Sequence, residues 1–256
     1  MAHIHRSAAE GYRTQAAAYA RGRPDYPPAV EDWLCGALAL GKGKIAVDLG
    51  AGTGKFLPRL RATGATVVAV EPVPAMLAQL VERNPDIEAK EGSAEGIPLA
   101  DACVDAIVCA QSFHWFANRR AVAEIRRVLR PGGVLGLVWN VRDESVSWVA
   151  ALTEIMAPYE GDTPRYRTRE LRRLFPADGF GPLVERHFPN GHTGPPEQVI
   201  LDRVLSVSFI AALPPAKQDR VASVICDLIA RSPDLAGRSE ITFPYETAAF
   251  SCAKMD

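Results

Sequence analysis

The sequence of 256 residues has no excess of charge of one sign, since 29 Lys and Arg stand against 30 Asp and Glu and the formal net charge is −1. A protein dedicated to binding nucleic acid carries a strong basic field, so that class is disfavoured. Arginine is concentrated at 119–130 and at 165–173. We interpret both clusters as solvated helix faces, with a site for an anion as the alternative.

The sequence also has few cysteines and no long apolar run. Its five cysteines are widely spaced, without a Cys-x-x-Cys pair or a Cys/His pairing, so we expect reduced thiols and no metal site. The N-terminus has no apolar signal segment, and no window approaches the roughly 18 uninterrupted apolar residues that cross a bilayer. These absences predict a soluble cytoplasmic protein that does not bind a membrane.

Short apolar runs alternate with helical patterns through the middle of the chain. Helical patterns occur at 55–63, 74–83 and 118–129. The runs themselves lie at 45–49, 66–70, 87–91, 104–109 and 134–139. Runs that are apolar on both faces are typical of parallel strands covered by helices on both sides. The sequence therefore predicts an α/β fold with a mostly parallel sheet.

Outside this region the pattern changes. An Ala-rich helix is expected at 8–20 and a short amphipathic helix at 28–40. After Asn140, strands are expected at 183–188 and 240–253. Helices are expected at 146–158, 167–174, 196–212 and 215–231. The Gly- and Pro-rich stretch 189–196, which His187 and His192 flank, is expected to be a loop.

We expect these elements to form three parts. Residues 1–40 would be a helical N-terminal segment that covers the active site. Residues 41–140 would be the ligand-binding core. Residues 141–256 would hold a helical cap and the last two strands of the sheet.

Three glycines alternate in the turn after the first strand, Asp48-Leu49-Gly50-Ala51-Gly52-Thr53-Gly54. This turn lies at the carboxyl end of the sheet, where open α/β folds bind ligands, and glycine lets the backbone approach a ligand closely. A phosphate-binding loop is disfavoured because the spacing from Gly50 to Lys55 is one residue short and Phe56 follows the lysine. A dinucleotide-binding turn is disfavoured because the third glycine comes one residue early. Asp48 would also repel a pyrophosphate, whereas it suits a cationic ligand.

Residues 47–54 resemble the first motif of the class I S-adenosylmethionine-dependent methyltransferases, and later landmarks follow in that family's order. Glu71 ends the second strand, the segment 92–95 ends the third, and Pro131 to Gly133 turn into the fifth. The resemblance covers about residues 45–140. It implies a Rossmann-like, seven-stranded, mostly parallel sheet with helices on both faces, and S-adenosyl-L-methionine as the cofactor.

The resemblance also implies which residues surround the cofactor. Glu71 would accept the ribose hydroxyls, and the glycine turn would hold the amino-acid part. Tyr19 could place its hydroxyl over the donor or pack in the core, and Arg23 could pair with a carboxylate or lie on the surface. The complete predicted set is Tyr19, Arg23, Asp48, Gly50, Ala51, Gly52, Thr53, Glu71, Pro72, Met76, Ser93, Ala94, Glu95, Gln111 and Ser112.

The fourth strand ends in a loop that contains His114, Trp115 and Phe116, which we predict to contact the substrate. This triplet, with the N-terminal residues 19–27 and the segment 243–247, resembles the branch that includes trans-aconitate methyltransferase. His114 is a candidate catalytic base because its unperturbed pKa is about 6.5. The alternative is a hydrogen-bonded residue of the pocket wall. A carboxylate acceptor would need no base.

The sequence therefore predicts an S-adenosylmethionine-dependent methyltransferase that modifies an O, N or C atom of a small molecule. An NAD-dependent oxidoreductase is the enzymatic alternative. A protein that binds the cofactor without catalysing a reaction is the non-enzymatic alternative. The balanced charge argues against a nucleic-acid acceptor.

Overall fold

The computed structural model describes residues 22–164, 166 and 170–255, without the side chains of Glu170 and Arg172. The predicted helix at 8–20 lies outside these residues. The strands are β1 (Ile45–Leu49), β2 (Thr66–Glu71), β3 (Glu88–Glu91), β4 (Val104–Ala110), β5 (Leu129–Arg142), β6 (Val184–Gly194) and β7 (Ile241–Ala253). The α-helices are α1 (Ala29–Ala37), α2 (Leu57–Ala62), α3 (Pro74–Arg83), α4 (Arg119–Val128), α5 (Ser147–Met156), α6 (Glu170–Leu174), α7 (Arg203–Leu205), α8 (Ser208–Ala211) and α9 (Pro215–Arg231).

All seven strands form one sheet in the order β3-β2-β1-β4-β5-β7-β6. The first five are parallel, and β7 runs antiparallel to both β5 and β6. The chain moves outward from β1 in one direction through β2 and β3 and in the other through β4 and β5. The carboxyl end of β1 is therefore a topological switch point, where such sheets bind ligands. The predicted seven-stranded, mostly parallel Rossmann-like sheet is confirmed.

Alternate residues of each central strand pack on opposite faces of the sheet. In β1, Val47 belongs to one buried cluster and its neighbour Ala46 to another. Helix α4 covers the first face, with Ile125 fully buried, while α1 and α2 cover the second through residues such as Trp33 and Leu57. Two-sided burial explains why these strands are continuous apolar runs in the sequence.

A third buried cluster joins the cap helices to the end of β7. Trp148 of α5 lies edge-to-face against Phe243, with ring centroids 4.9 Å apart. Ile200 and Ile225 bury their side chains in the same cluster. The helices after Asn140 thus pack beside the sheet, while the three-part division at 1–40, 41–140 and 141–256 stays a prediction.

The expectation of a loop at 189–196 is wrong, because β6 continues to Gly194 and pairs with β7 along its whole length. β6 is an edge strand, and an edge strand tolerates a residue such as Pro189 that lacks an N–H group. The cross-strand hydrogen bond between the hydroxyls of Thr193 and Thr242, 2.8 Å long, lies in the part assigned to a loop. The helix expected at 196–212 is also broken, into a π-helical turn at Glu197–Asp202 followed by α7 and α8.

A network of polar side chains fixes the carboxyl end of β5 beside the N-terminal segment. Thr247 of β7 donates its hydroxyl to Oδ1 of Asn140, 2.6 Å away. Asn190 of β6 donates to the same oxygen at 3.1 Å and to the backbone oxygen of Asp25 at 2.8 Å. Three strands therefore hold the chain near residue 25 against the sheet end where the glycine turn lies.

No helix in the described part of the chain is both long and apolar enough to span a membrane.

Candidate active site

The glycine turn after β1 has a left-handed backbone that packs tightly on the loop after β4. Gly50 has φ +72° and Gly52 has φ +58°. A Cβ on Gly50 would lie 2.7 Å from Cβ of Ser112. Ser112 also donates its hydroxyl to the backbone oxygen of Leu49 over 2.6 Å. On the other side of the turn, the position of a Cβ on Gly52 is 4.0 Å from the sulfur of Met76, so this glycine leaves room beside the cavity.

Glu71 at the end of β2 is tied to this turn by its carboxylate. Oε2 accepts a hydrogen bond from the backbone N–H of Gly52 at 2.8 Å, and Oε1 accepts one from the N–H of Val73 at 2.9 Å. The residue is only 4% exposed. Burial raises the pKa of Glu71, and the two hydrogen bonds oppose the rise. A carboxylate has about four acceptor sites, so each oxygen retains capacity for a ligand hydroxyl.

Asp48 lies beneath the turn, and its side chain is not part of the cavity wall. It is 1% exposed, and within the described residues neither of its carboxylate oxygens has a hydrogen-bond partner. Burial, and then the charge of Glu71, raise the pKa of Asp48 to about 8. A carboxyl group in this state is mostly protonated at neutral pH, whereas a nearby cation would favour its ionised form.

A cavity opens above the turn, and most of the predicted cofactor residues line it. These are Arg23, Gly50, Ala51, Gly52, Thr53, Glu71, Pro72, Met76, Ser93, Ala94, Glu95, Gln111 and Ser112. Trp115 and Phe116, predicted as substrate contacts, lie in the same wall. Tyr19 falls outside the described residues.

Several wall residues were not predicted from the sequence. Lys55 follows the last glycine of the turn and donates to the backbone oxygen of Arg23 at 2.6 Å. It also forms an ion pair with Asp25 at 3.3 Å, so it holds the N-terminal segment over the cavity. The sequence signal that could have identified Lys55 is its position directly after the glycine turn. Arg203 reaches the wall from the cap, and no local pattern marks it.

A second chamber adjoins the first. The two chambers share Arg23, Gln111, Trp115, Asn140 and Arg203. His114 lines only the second chamber and Phe116 only the first. The other residues of the second chamber are Trp139, Val141, Arg142, Glu144, Thr163, Pro164, Tyr166, Val207, Ser208 and Phe209. Gln111 stands at the junction with φ +56°, and its side-chain amide donates to the backbone oxygen of Asn140 over 3.1 Å.

His114 has a defined hydrogen bond that decides its tautomer. Nδ1 of His114 accepts the indole N–H of Trp139 over 3.2 Å. An indole nitrogen can only donate, so the neutral imidazole carries its proton on Nε2. In this tautomer Nε2 is a hydrogen-bond donor and has no lone pair with which to remove a proton.

No group of three His, Cys, Asp or Glu side chains with the geometry of a metal site occurs among the described residues.

The sheet topology, the glycine turn and the hydrogen bond between this turn and Glu71 are typical of the Rossmann-like class I methyltransferases. Residues 47–137 match the family model described as a methyltransferase domain. The chain is 38% identical to an uncharacterized methyltransferase-like protein of Schizosaccharomyces pombe, over 95% of each chain. It is 42% identical to an uncharacterized methyltransferase of Mycobacterium tuberculosis, over 90% of each. The chain therefore belongs to the S-adenosylmethionine-dependent methyltransferase family and is an enzyme.

Among solved structures, the fold is similar to that of phosphoethanolamine N-methyltransferase 2 of Haemonchus contortus, which was solved in complex with phosphomonomethylethanolamine and S-adenosylhomocysteine. The TM-score is 0.60 at 14% identity, covering 100% of this chain and 61% of that chain. At this identity the likeness concerns the fold alone. The family assignment makes S-adenosylmethionine the cofactor and supports a methyltransferase over the oxidoreductase and the non-catalytic alternatives. The narrower resemblance to the trans-aconitate methyltransferase branch stays a prediction.

The raised pKa of Asp48 predicts an unusual dependence of protein stability on pH. Between the pKa of about 4 in the unfolded chain and about 8 in the folded one, the unfolded state binds fewer protons, so Asp48 lowers stability as pH rises through this range. We expect Asp48→Asn to gain stability relative to the parent enzyme, by about 1 kcal/mol per pH unit from pH 5 to 8. Urea unfolding of both proteins at several pH values measures this difference.

Asp105→Asn is the control, because its effect on stability is expected to change with pH in the opposite direction. Burial raises the pKa of Asp105, but hydrogen bonds from the backbone of Ile45 and from Lys44 and Arg130 lower it by more. Its contribution is therefore present at neutral pH and is lost on acidification. A stability difference for Asp48→Asn that is constant from pH 5 to 8 would contradict the assignment.

Proposed function

We propose that this enzyme methylates an oxygen of a small carboxylate-bearing molecule. The observation that carries the proposal is the second chamber, where three guanidinium groups and one imidazole N–H donor adjoin the cavity of the glycine turn. Arginine binds carboxylates well because its planar fork matches two carboxylate oxygens. We expect S-adenosylmethionine in the first chamber and the acceptor in the second.

The residues of the first chamber fit the cofactor. The backbone of Gly50 to Thr53 offers close approach to its amino-acid part. The Glu71 carboxylate, already oriented by two backbone N–H groups, is placed to accept the ribose hydroxyls. Met76, Ala94 and Glu95 lie in the same wall and would frame the adenine. When bound, S-adenosylmethionine supplies a methyl group on a sulfonium and leaves as a neutral thioether.

The charges of the second chamber favour an anionic acceptor. Arg23 comes from the N-terminal segment, Arg142 from the end of β5 and Arg203 from the cap, while Glu144 brings a negative charge to the same wall. Three elements that are far apart in the sequence thus bring positive charge to one chamber. An acceptor with one or more carboxylates would be attracted and oriented there, whereas an amine would be repelled.

His114 supports the same acceptor through its tautomer. Because Trp139 occupies Nδ1, Nε2 can donate a hydrogen bond to one oxygen of a carboxylate, which leaves the other oxygen to attack the methyl carbon. A carboxylate is ionised at neutral pH and needs no base. An amine or phenol would need its proton removed, which this tautomer of His114 cannot do. We therefore assign His114 to acceptor binding.

The remaining walls offer aromatic surface against which the acceptor can be positioned. Trp115, Trp139, Tyr166 and Phe209 surround the second chamber with aromatic surface. Trp139 and Tyr166 lie with ring centroids 5.0 Å apart. Methyl transfer is an in-line displacement, so holding the attacking oxygen close to and in line with the methyl carbon supplies much of the rate.

We expect Glu71→Ala to weaken S-adenosylmethionine binding by at least about tenfold, because it removes two charge-assisted hydrogen bonds to the ribose. Glu71→Gln, which retains one acceptor oxygen, should bind S-adenosylmethionine with an affinity between those of the parent enzyme and Glu71→Ala. Calorimetric titration with S-adenosylmethionine and S-adenosylhomocysteine measures both. Glu91→Ala, which changes the exposed acid paired with Glu71 on β3, is the matched control and should bind normally. Normal binding by a folded Glu71→Ala protein would contradict the ribose role.

The acceptor class is tested by mass spectrometry on a panel of small mono-, di- and tricarboxylic acids with their amides and related amines. We expect methyl esters of acids and no methylated amides or amines. Arg142→Gln should raise the KM for the acid about tenfold, since one charge-assisted contact is lost, while S-adenosylmethionine affinity is retained. Arg186→Gln, an exposed arginine on β6, is the control. Preferential methylation of amines would overturn the carboxylate assignment.

Two substitutions separate the roles of His114. Glutamine keeps an N–H donor but has no basic nitrogen, and leucine has neither. If His114 orients a carboxylate, His114→Gln should retain kcat within about tenfold while His114→Leu loses more, because only leucine abolishes the hydrogen bond. Single-turnover rates at saturating cofactor provide the comparison. Equal loss in both variants would instead indicate a catalytic base.

A further inference from the structure

A further cavity, lined by basic residues, lies beside α4 near the end of β7, and it is separate from both chambers. It encloses about 480 Å³ between α4 and the segment that follows α6. None of its residues lines either chamber. We name it the α4 groove; its lining residues are Arg119, Val122, Ala123, Arg126, Arg127, Arg173, Leu174, Pro176, Ala177, Asp178 and Lys254.

The α4 groove concentrates positive charge in a protein that is otherwise nearly neutral. Arg119 and Arg126 are two helical turns apart and therefore lie on the same side of α4. Arg173 lines the groove from α6, and Lys254 lines it from the end of β7. Among the residues that the structure describes, Asp178 is the one acidic residue in the lining, whereas the whole chain has a net charge of −1.

Most of this charge is not neutralised by neighbouring side chains. Arg127 forms ion pairs with Glu124 at 2.7 Å and with Asp101 at 2.6 Å. In the part of the chain that the structure describes, Arg119, Arg126 and Arg173 form no ion pair. The ammonium group of Lys254 donates to the backbone oxygen of Leu129 at 2.7 Å, which leaves its charge uncompensated. Unpaired like charges in one cavity repel one another, and an anion relieves that repulsion.

The position of Arg126 depends on a glycine of the facing loop. Gly179 has φ +76°, and a Cβ at this residue would lie 2.0 Å from Nε of Arg126. The guanidinium of Arg126 therefore packs directly against the backbone of Gly179, next to the groove. An arginine restrained in this way loses less side-chain entropy when it binds a ligand than a freely rotating one.

The remaining surface of the groove is apolar. Val122 is buried in the main core cluster, and Leu174 and Ala177 pack against that cluster. Pro176 lies in the same lining. A ligand that matches the groove has an anionic group for the arginines and a short apolar portion for this floor.

We propose that the α4 groove is a second ligand site, which binds a small organic molecule carrying a phosphate group. A phosphate has three terminal oxygens and close to two negative charges at neutral pH, so guanidinium groups from α4 and α6 can share it. A monocarboxylate has one charge and two oxygens and satisfies fewer of these donors. The proposal does not depend on the acceptor assigned to the second chamber.

Phenyl phosphate is a suitable probe because it combines a phosphate with an apolar ring. It would be titrated calorimetrically into the full chain at low ionic strength, with S-adenosylhomocysteine saturating the first chamber. We expect a phenyl phosphate site with a submillimolar Kd that weakens as salt is added and that a double variant of Arg126 and Arg173 lacks, and at least about tenfold weaker binding of benzoate at that site. Benzoate bound in the second chamber is distinguished from this site because the double variant retains it. The proposal is overturned if phenyl phosphate does not bind at concentrations up to about 10 mM, because any weaker association would be nonspecific.

Matched variants locate the site. Arg126→Gln combined with Arg173→Gln removes charge from opposite sides of the groove at exposed positions, so the fold should be retained. We expect this double variant to lose at least about tenfold in affinity for phenyl phosphate, since two charge-assisted contacts are lost. Arg142→Gln in the second chamber and Arg186→Gln on β6 should bind normally. Loss of binding in Arg142→Gln alone would assign the phosphate to the second chamber and reject the α4 groove.

Discussion

The active site depends on the two hydrogen bonds that the Glu71 carboxylate accepts. One comes from Gly52 in the turn after β1 and the other from Val73 at the start of α3. The side chain thus joins the ends of two adjacent parallel strands before any ligand is bound. Fixed donors hold the carboxylate in one orientation, so little side-chain entropy remains to be lost on binding. The buried acid Asp48 beneath the same turn is mostly protonated at neutral pH, and only a nearby cation would favour its ionised form.

The sequence was sufficient to predict most of the sheet, because buried parallel strands form apolar runs that alternate with helices. It failed at 189–194, where pairing of the edge strand β6 with β7 outweighed the local signals of Pro189 and Gly191. Local signals describe the preferences of a segment. Hydrogen bonds to a partner strand about fifty residues away are absent from such patterns.

The candidate site divides in the same way. The residues of the glycine turn and Glu71 were predictable because they lie within a few residues of strand ends. Arg203, and the hydrogen bond between Trp139 and His114, were not, since each depends on tertiary packing of separate elements. Asp48 shows the converse limit: its proximity to the turn suggested that it lines the cavity, but the strand directs the side chain into the interior.

The two chambers share part of their walls, including Arg23, Trp115 and Asn140. A molecule that orders these side chains in one chamber also changes the free energy of filling the other. Thermodynamic linkage makes this coupling reciprocal, so a ligand of either chamber alters the affinity of the other chamber by the same factor. Exchange of the cofactor for its demethylated product in the first chamber would then change the affinity of the second chamber for its ligand, through shared walls alone.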